Sequence, residues 1–325
     1  MTSAAALDDL NARFARTDQL RFTAHADGVL LAEIRNSHAT AQIALQGAQV
    51  LTYQPTGAAP VLWLSTEARC LPGKTIRGGI PVCWPWFGPH PDDPGKPAHG
   101  YVRAAPWEVR GSAATADATQ LVLGLPLRPE YQALTPHAAA LDVTLTVSVG
   151  AQLRVSLTTR NTGTRGIPLS QALHTYFTVS DIEAVRVLGL EGCDYLDKVD
   201  GGLRKTQQGP IRINGEVDRI YLETDADSVI DDPGLQRRIR IAHEGSRSTV
   251  VWNPWIEKAA KMGDLCPDGY RQMLCVENTN AADDARQLAP GGEHTLTAVS
   301  VCSPPGANSR ASSAALVFST QSMCR

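Results

Sequence analysis

The sequence predicts an all-β protein, a sandwich of antiparallel strands with a few short helices. Three observations carry that prediction. Apolar residues recur with period two in many short runs, the runs are punctuated by Gly, Pro, Asn and Asp clusters, and they never alternate with long helical segments. The last of these disfavours a doubly wound α/β fold, and the first two point to a sandwich or barrel.

Taken in chain order, Leu7, Leu10 and Phe14 stand at helical spacing behind the possible cap Ser3, so a short amphipathic helix over 3–15 should pack on the adjoining domain. Period two then takes over, with runs at Leu30 to Ile34, Ala41 to Tyr53 and Leu121 to Leu125. The clearest local signal comes next. Leu141, Val143, Leu145, Val147 and Val149 alternate with polar residues, Gly150-Ala151 marks a turn, and Leu153, Val155 and Leu157 alternate again. This reads as an antiparallel hairpin with one wet face.

Further runs lie at Val185 to Leu190, Ile239 to Ile241, Thr249 to Trp252 and Leu296 to Val301. A helical pattern returns only at Trp255 to Met262, with Asn253 as cap and Pro254 at the first helical position. No linker, charge run or repeat divides the chain. The expected organisation is a helical extension over 1–18, one β-sandwich domain over 19–303, and a Ser- and Ala-rich tail over 304–325, disordered or foreign to the fold.

Composition narrows the function classes. Hydrophobic residues make up 43% of the chain and charged residues 19%, too apolar a balance for an intrinsically disordered protein. The 30 basic residues against 33 acidic ones leave a net charge of -3, so no overall field draws the protein to nucleic acid or an anionic membrane. The N-terminus lacks the basic and apolar regions of a signal peptide, and no apolar stretch is long enough to span a bilayer. A cytoplasmic monomer is the expectation. Seven cysteines without a C-x-x-C pair, and eight histidines without metal-ligand spacing, supply no zinc or disulfide framework.

The densest unusual stretch is KTIRGGIPVCWPWFGPHPDDPGKPAHGYVR, Lys74 to Arg103. A long irregular segment inside a compact domain is commonly functional. Arg77 and Arg103 bracket Trp84, Trp86 and Phe87, a combination suited to a phosphorylated sugar: guanidinium forks grip phosphate oxygens and ring faces stack on sugar C–H surfaces. The plainer alternative is that the arginines pair with carboxylates and the tryptophans fill the core. His174 lies alone in the apolar run PLSQALHTYFTV, as a hydrogen-bonded core histidine would. Glu277 follows an apolar strand pattern in MLCVENTN and is expected at a strand end. Asp218 has Arg219 beside it as a ready ion-pair partner.

Singly these residues are unremarked; together their surroundings resemble one family. IRGGIPVCWPWFG, AHGYVR, LSQALHTYF, EVDRIY, VVWNPW and CVENTN resemble, in order and spacing, the strings of the glucose-6-phosphate 1-epimerases, or D-hexose-6-phosphate mutarotases, within the aldose 1-epimerase group. The resemblance spans about Leu20 to Val301 and implies a galactose-mutarotase-like supersandwich with no metal or organic cofactor. It further implies His174 as general acid, Glu277 as general base, Arg77 and Arg103 as holders of the 6-phosphate, and Asp218 as acceptor from sugar hydroxyls. Some relatives carry Gln where this chain has Ala98, and that polar contact with the substrate is expected to pass to His99 or to water.

The implied activity is interconversion of the α and β anomers of a hexose 6-phosphate, with a small-molecule sugar phosphate as partner. Three other readings compete with it. A neutral-sugar aldose 1-epimerase lacks need of the arginines. A carbohydrate-binding sensor lacks need of an acid–base pair. A glycoside-processing enzyme ordinarily uses two carboxylates rather than His and Glu.

Overall fold

A computed structural model describes residues 4–126, 128–134 and 140–305. The possible cap Ser3 and the tail beyond residue 305 lie outside the described residues. The first helix is Ala4–Phe14, and Leu7, Leu10 and Phe14 pack against the core as the spacing predicts. Asn11 ties the helix to the first strand: its side chain accepts from the Phe22 N–H and donates to the Phe22 carbonyl.

Four strands come next as a meander, Leu20–Ala24, Leu30–Arg35, Ala39–Ala44 and Gln49–Pro55. The run Ala41 to Tyr53 is therefore two strands rather than one. The chain reverses at Leu45–Ala48, where Gly47 and Ala48 both adopt positive φ. Leu45, Gln46, Gly47 and Ala48 are buried like the strands on either side, so no exposed polar cluster marks the turn.

Two eight-stranded antiparallel sheets follow, together with a two-stranded pairing of Ile167–Leu169 with Arg286–Leu288. The back sheet runs Arg186–Leu188, Ser228–Asp232, Arg237–Glu244, Glu293–Ser303, Leu153–Asn161, Leu141–Gly150, Ala118–Gly124, Glu108–Ala114. Its predicted hairpin is present, with Leu145 opposite Leu157 and Val147 opposite Val155. The front sheet runs Leu203–Thr206, Asp194–Asp197, Val217–Leu222, Ser248–Asn253, Met273–Asn280, Gln171–Leu173, Val82–Cys83, with Tyr176–Thr178 also paired to Met273–Asn280. One continuous apolar core lies between the sheets. Trp84 reaches across it, its indole N–H donating to Thr159 of the back sheet.

The helix read over Trp255 to Met262 spans only Trp255–Ala259. Pro254 precedes it rather than opening it, and the Asn253 side chain accepts from the Trp255 N–H. No described helix is long and apolar enough to cross a membrane.

Candidate active site

Strand alternation decides which side chains share a face of the front sheet. Asn278 and Asn280 of the strand Met273–Asn280 hydrogen-bond to the back-sheet segment, at the carbonyls of Ala242 and Gly245. Cys275 and Glu277 therefore point to the opposite, outer face. Asp218 and Cys275 both lie opposite Trp252 in the ladders, and Tyr176 lies opposite Cys275. His174 comes directly after Leu173, the partner of Asn278, and so stands beside Glu277. Glu277 is the fifth of eight strand residues, not a strand-end residue; a strand buried on both faces has no wet side to mark its extent.

His174 Nδ1 lies 3.3 Å from Glu277 Oε1, with the histidine side chain 12% exposed and the glutamate 1%. Neither His174 Nδ1 nor Glu277 Oε2 has a hydrogen-bond partner. Burial, then the charge of Asp218, pushes Glu277 well above the usual carboxylate range. Burial also drives His174 well below the usual imidazole value, helped by His99, Arg103 and Arg77. Each shift disfavours the charged form of its group. Cys275 completes a trio whose ligating atoms lie within 4.8 Å of one another. These three would be the ligands of any divalent ion entering the site, although burial first, and then Glu277, holds the thiol well above its usual range.

The glycine-rich loop sets the arginines. Gly79 has φ +62, and a Cβ there would stand 2.1 Å from the Val50 carbonyl, so the backbone just after Arg77 passes closer than any side chain allows. Gly79 accepts from the Tyr176 N–H, which fixes the loop to the site strand. Arg77 donates through Nη1 to the Tyr176 hydroxyl at 2.8 Å and pairs through Nη2 with Asp264 at 3.0 Å. Arg103 donates through Nη2 to the Ala98 carbonyl, so the position that lacks Gln still contributes its backbone. No carboxylate lies within 4 Å of Arg103 among the described residues.

His99 accepts from the Gly88 N–H at Nδ1, which places the ring proton on Nε2. Burial, then Arg103 and Arg77, lowers it to about 4, so it is a neutral donor at ordinary pH. Its ring stands 5.7 Å from that of His174 and 5.0 Å from that of Phe87. Asp218 is raised, chiefly by burial, against the opposing pull of Lys258 and Lys198. Its nearest cation is Lys258, 3.9 Å away, while Arg219 faces the other way onto Gln207 and the Tyr195 ring. The ion-pair reading of Asp218 with its chain neighbour does not hold.

The structure thus brings His174, Glu277, His99, Arg77, Arg103 and Asp218 into one electrostatic neighbourhood. Part of the plainer reading also holds: Arg77 has a carboxylate partner, and Trp84 and Trp86 are buried. Sequence reasoning missed Tyr176 and Asp264. Tyr176 sits two residues from His174 inside the LHTYF string, which was signal enough; Asp264 lies in a loop without any.

A depression over the outer face of the four-stranded meander is lined by Arg21, Glu33, Arg35 and Gln42. Arg21 and Glu33 pair there in solvent, and its lining offers no pair of buried titratable groups for proton transfer.

Residues 31–299 match the model of the family described as Aldose 1-epimerase. A protein of Escherichia coli (strain K12) named "Putative glucose-6-phosphate 1-epimerase" is 36% identical over 264 residues, 80% of this chain and 86% of that protein. A Cenchrus ciliaris protein of the same name is 38% identical over 261 residues, 78% of each. The crystal structure of a "putative mutarotase (YeaD)" from Salmonella typhimurium superposes with a TM-score of 0.83 at 30% identity, covering 91% of this chain and 99% of that one. With a family model matched over most of its length and an outer sheet face that holds a buried His–Glu pair, the chain belongs to the aldose 1-epimerase family.

Proposed function

We propose that this protein interconverts the α and β anomers of D-glucose 6-phosphate and related hexose 6-phosphates by acid–base ring opening and closure. The observation that carries the reading is the buried His174–Glu277 contact at 3.3 Å, with two arginines close enough to depress both nearby imidazoles. The names of the curated relatives support the phosphorylated substrate.

The chemistry needs one proton taken from the anomeric hydroxyl and one given to the ring oxygen. Glu277 takes the first and His174 gives the second, the exocyclic oxygen becomes the aldehyde, the bond to the ring oxygen breaks, and rotation followed by reversal yields the other anomer. For this step the pair must enter as imidazolium and carboxylate, the one-proton form that burial disfavours, and it leaves as imidazole and carboxylic acid. Both forms carry the same net charge, so ring opening demands no change in the charge buried beneath the sugar. That matters where desolvation makes an isolated charge costly. Asp218 accepts from sugar hydroxyls, His99 donates from Nε2, and Arg77 with Arg103 holds the phosphate.

The active form holds one mobile proton on the pair. A second proton is added only below the depressed His174 value, and the last is lost only above the raised Glu277 value. Turnover should therefore persist below pH 6.5, the ordinary imidazole value, and fall on the acid side as His174 and Glu277 are both protonated. A kcat profile that instead falls through 6.5 as an exposed histidine titrates would contradict the buried-pair assignment.

Burial of the carboxylate also has a stability consequence. The folded pKa of Glu277 is raised, so its favourable contribution is complete below the unfolded value of 4.5 and is lost as pH rises toward the folded value. Glu277→Gln, which cannot ionise, should melt a few degrees above the native protein at pH 8, with the gap shrinking toward pH 5. Calorimetry at the two pH values checks this; a variant less stable than the native protein at both would show that the carboxylate is structural.

One observation favours a second reading. Arg77 already has Asp264 and Tyr176 as partners, as a structural arginine in a neutral-sugar 1-epimerase would. A non-catalytic sugar sensor is separated more simply. Anomer exchange of glucose 6-phosphate well above its spontaneous rate, at protein concentrations far below that of the sugar, supports an enzyme, and exchange no faster than spontaneous supports the sensor.

A further inference from the structure

Three aromatic rings lie one upon the next and end at the proposed general acid. Trp63 and Tyr176 have ring centroids 6.0 Å apart with 22° between planes, and Tyr176 and His174 are 4.9 Å apart with 11° between planes. Trp252 closes the stack from the side, edge-on to both His174 and Tyr176 at 6.0 Å. At the far end of the phenol, the hydroxyl accepts from Arg77 Nη1 at 2.8 Å. The Tyr176 side chain is almost wholly buried. One residue thus touches the acid with its ring face and the arginine with its oxygen.

From this arrangement we infer that Tyr176 is a positioning residue that serves both halves of the reaction: its hydroxyl aims Arg77 at the 6-phosphate, and its ring holds His174 for proton transfer. The inference rests on the reading of Arg77 as a phosphate ligand.

The hydroxyl half rests on how a guanidinium is fixed. With Tyr176 on Nη1 and Asp264 on Nη2, the planar fork is held at two corners and cannot swing about its stem. Asp264 is 40% exposed at its side chain, whereas its carbonyl is anchored by the Ser65 hydroxyl, so its carboxylate is the softer of the two anchors. Tyr176, packed among rings, is the rigid one. Losing its hydroxyl leaves the fork mobile and its phosphate geometry loose.

The ring half rests on the near-parallel stack. A flat phenol beneath the imidazole limits rotation about the bond from Cβ to the ring, which keeps Nδ1 toward Glu277. The π face also favours a cation above it. It therefore supports the imidazolium that must donate, against the desolvation that opposes it.

Two variants separate the halves. Tyr176→Phe keeps the ring and removes the oxygen; its KM for glucose 6-phosphate should rise about three- to tenfold, with kcat within about twofold and any KM for free glucose unchanged. Inhibition by inorganic phosphate should weaken by the same factor. Tyr176→Leu, or Tyr176→Met should the leucine variant fail to fold, removes the stack and should lower kcat at least about tenfold further. Arg77→Ala is measured alongside. If Arg77→Ala raises KM for the phosphorylated sugar and Tyr176→Phe does not, the hydroxyl role is overturned while the phosphate reading stands. If Arg77→Ala leaves that KM unchanged, the phosphate reading fails and takes the hydroxyl role with it. A leucine or methionine variant with kcat equal to that of Tyr176→Phe would overturn the ring role.

Discussion

Replacing His174 with Ala, or Glu277 with Gln, is expected to slow anomer exchange of glucose 6-phosphate by at least about two orders of magnitude while sugar-phosphate binding stays measurable. A positioned general acid or base contributes about 10² to 10⁴ in rate, and in the proposed mechanism each residue moves one of the two protons that ring opening requires. Neither holds the phosphate, so affinity should survive. The two substitutions should also be far from additive, because the side chains stand 3.3 Å apart and the proposed mechanism needs both in the same ring opening. Exchange rates from magnetisation transfer between the anomeric resonances, with binding measured by calorimetry, check this. Near-native exchange in either variant would remove that residue from the mechanism, and loss of binding together with exchange would point to a collapsed site.

The second large effect concerns the phosphate. Arg103→Ala or Arg77→Ala should lower kcat/KM for glucose 6-phosphate by about one to two decades while barely altering any activity on free glucose. Hydrogen bonds to a charged group contribute about 1.5 to 3 kcal/mol each, and a free 6-hydroxyl cannot match them. Arg103 should show the cleaner effect, since it has no carboxylate within 4 Å among the described residues, whereas Arg77 must share its fork with Asp264. Lysine at either position should restore activity only in part, because an ammonium keeps the charge and loses the bidentate fork. Equal losses on both sugars would make the arginines structural, and melting curves on each variant tell a collapsed loop from a lost contact.

How much of this was legible depended on where water lies. The hairpin Leu141–Gly150 with Leu153–Asn161 has one face on the core and one partly open, so its burial alternates residue by residue and the sequence displays it. The site strand Met273–Asn280 is buried at every position, so its sequence carries no period and Glu277 could not be placed within it. The Ala41 to Tyr53 run concealed its turn for the same reason. The helix after Pro254 proved shorter than its pattern because the bonding tightens past Ala259, where the Lys261 and Met262 N–H groups donate to the carbonyls three residues back, Lys258 and Ala259.

The candidate site residues stood out through their surroundings rather than through their own chemistry. A lone His in an apolar run and a lone Glu after a strand pattern say little; the six strings around them, matched in order, say much more. What lay beyond reach was pairing at a distance. Asp264 meets Arg77 from a remote loop, and the Tyr176 hydroxyl finds Arg77 only because the backbone of Gly79 is pinned beside its strand. Asp218 was legible in identity but not in partner, since strand alternation sends Arg219 to the other face and leaves Lys258 nearby.

The most direct test of hexose 6-phosphate mutarotation is exchange spectroscopy on glucose 6-phosphate and on free glucose, side by side, with the native protein at catalytic concentration. Rapid exchange of the phosphorylated sugar is predicted, with kcat/KM for it at least about tenfold above that for glucose, the least that one charge-assisted contact supplies. Equal efficiency on the two sugars, or exchange of glucose alone, would contradict the proposed function.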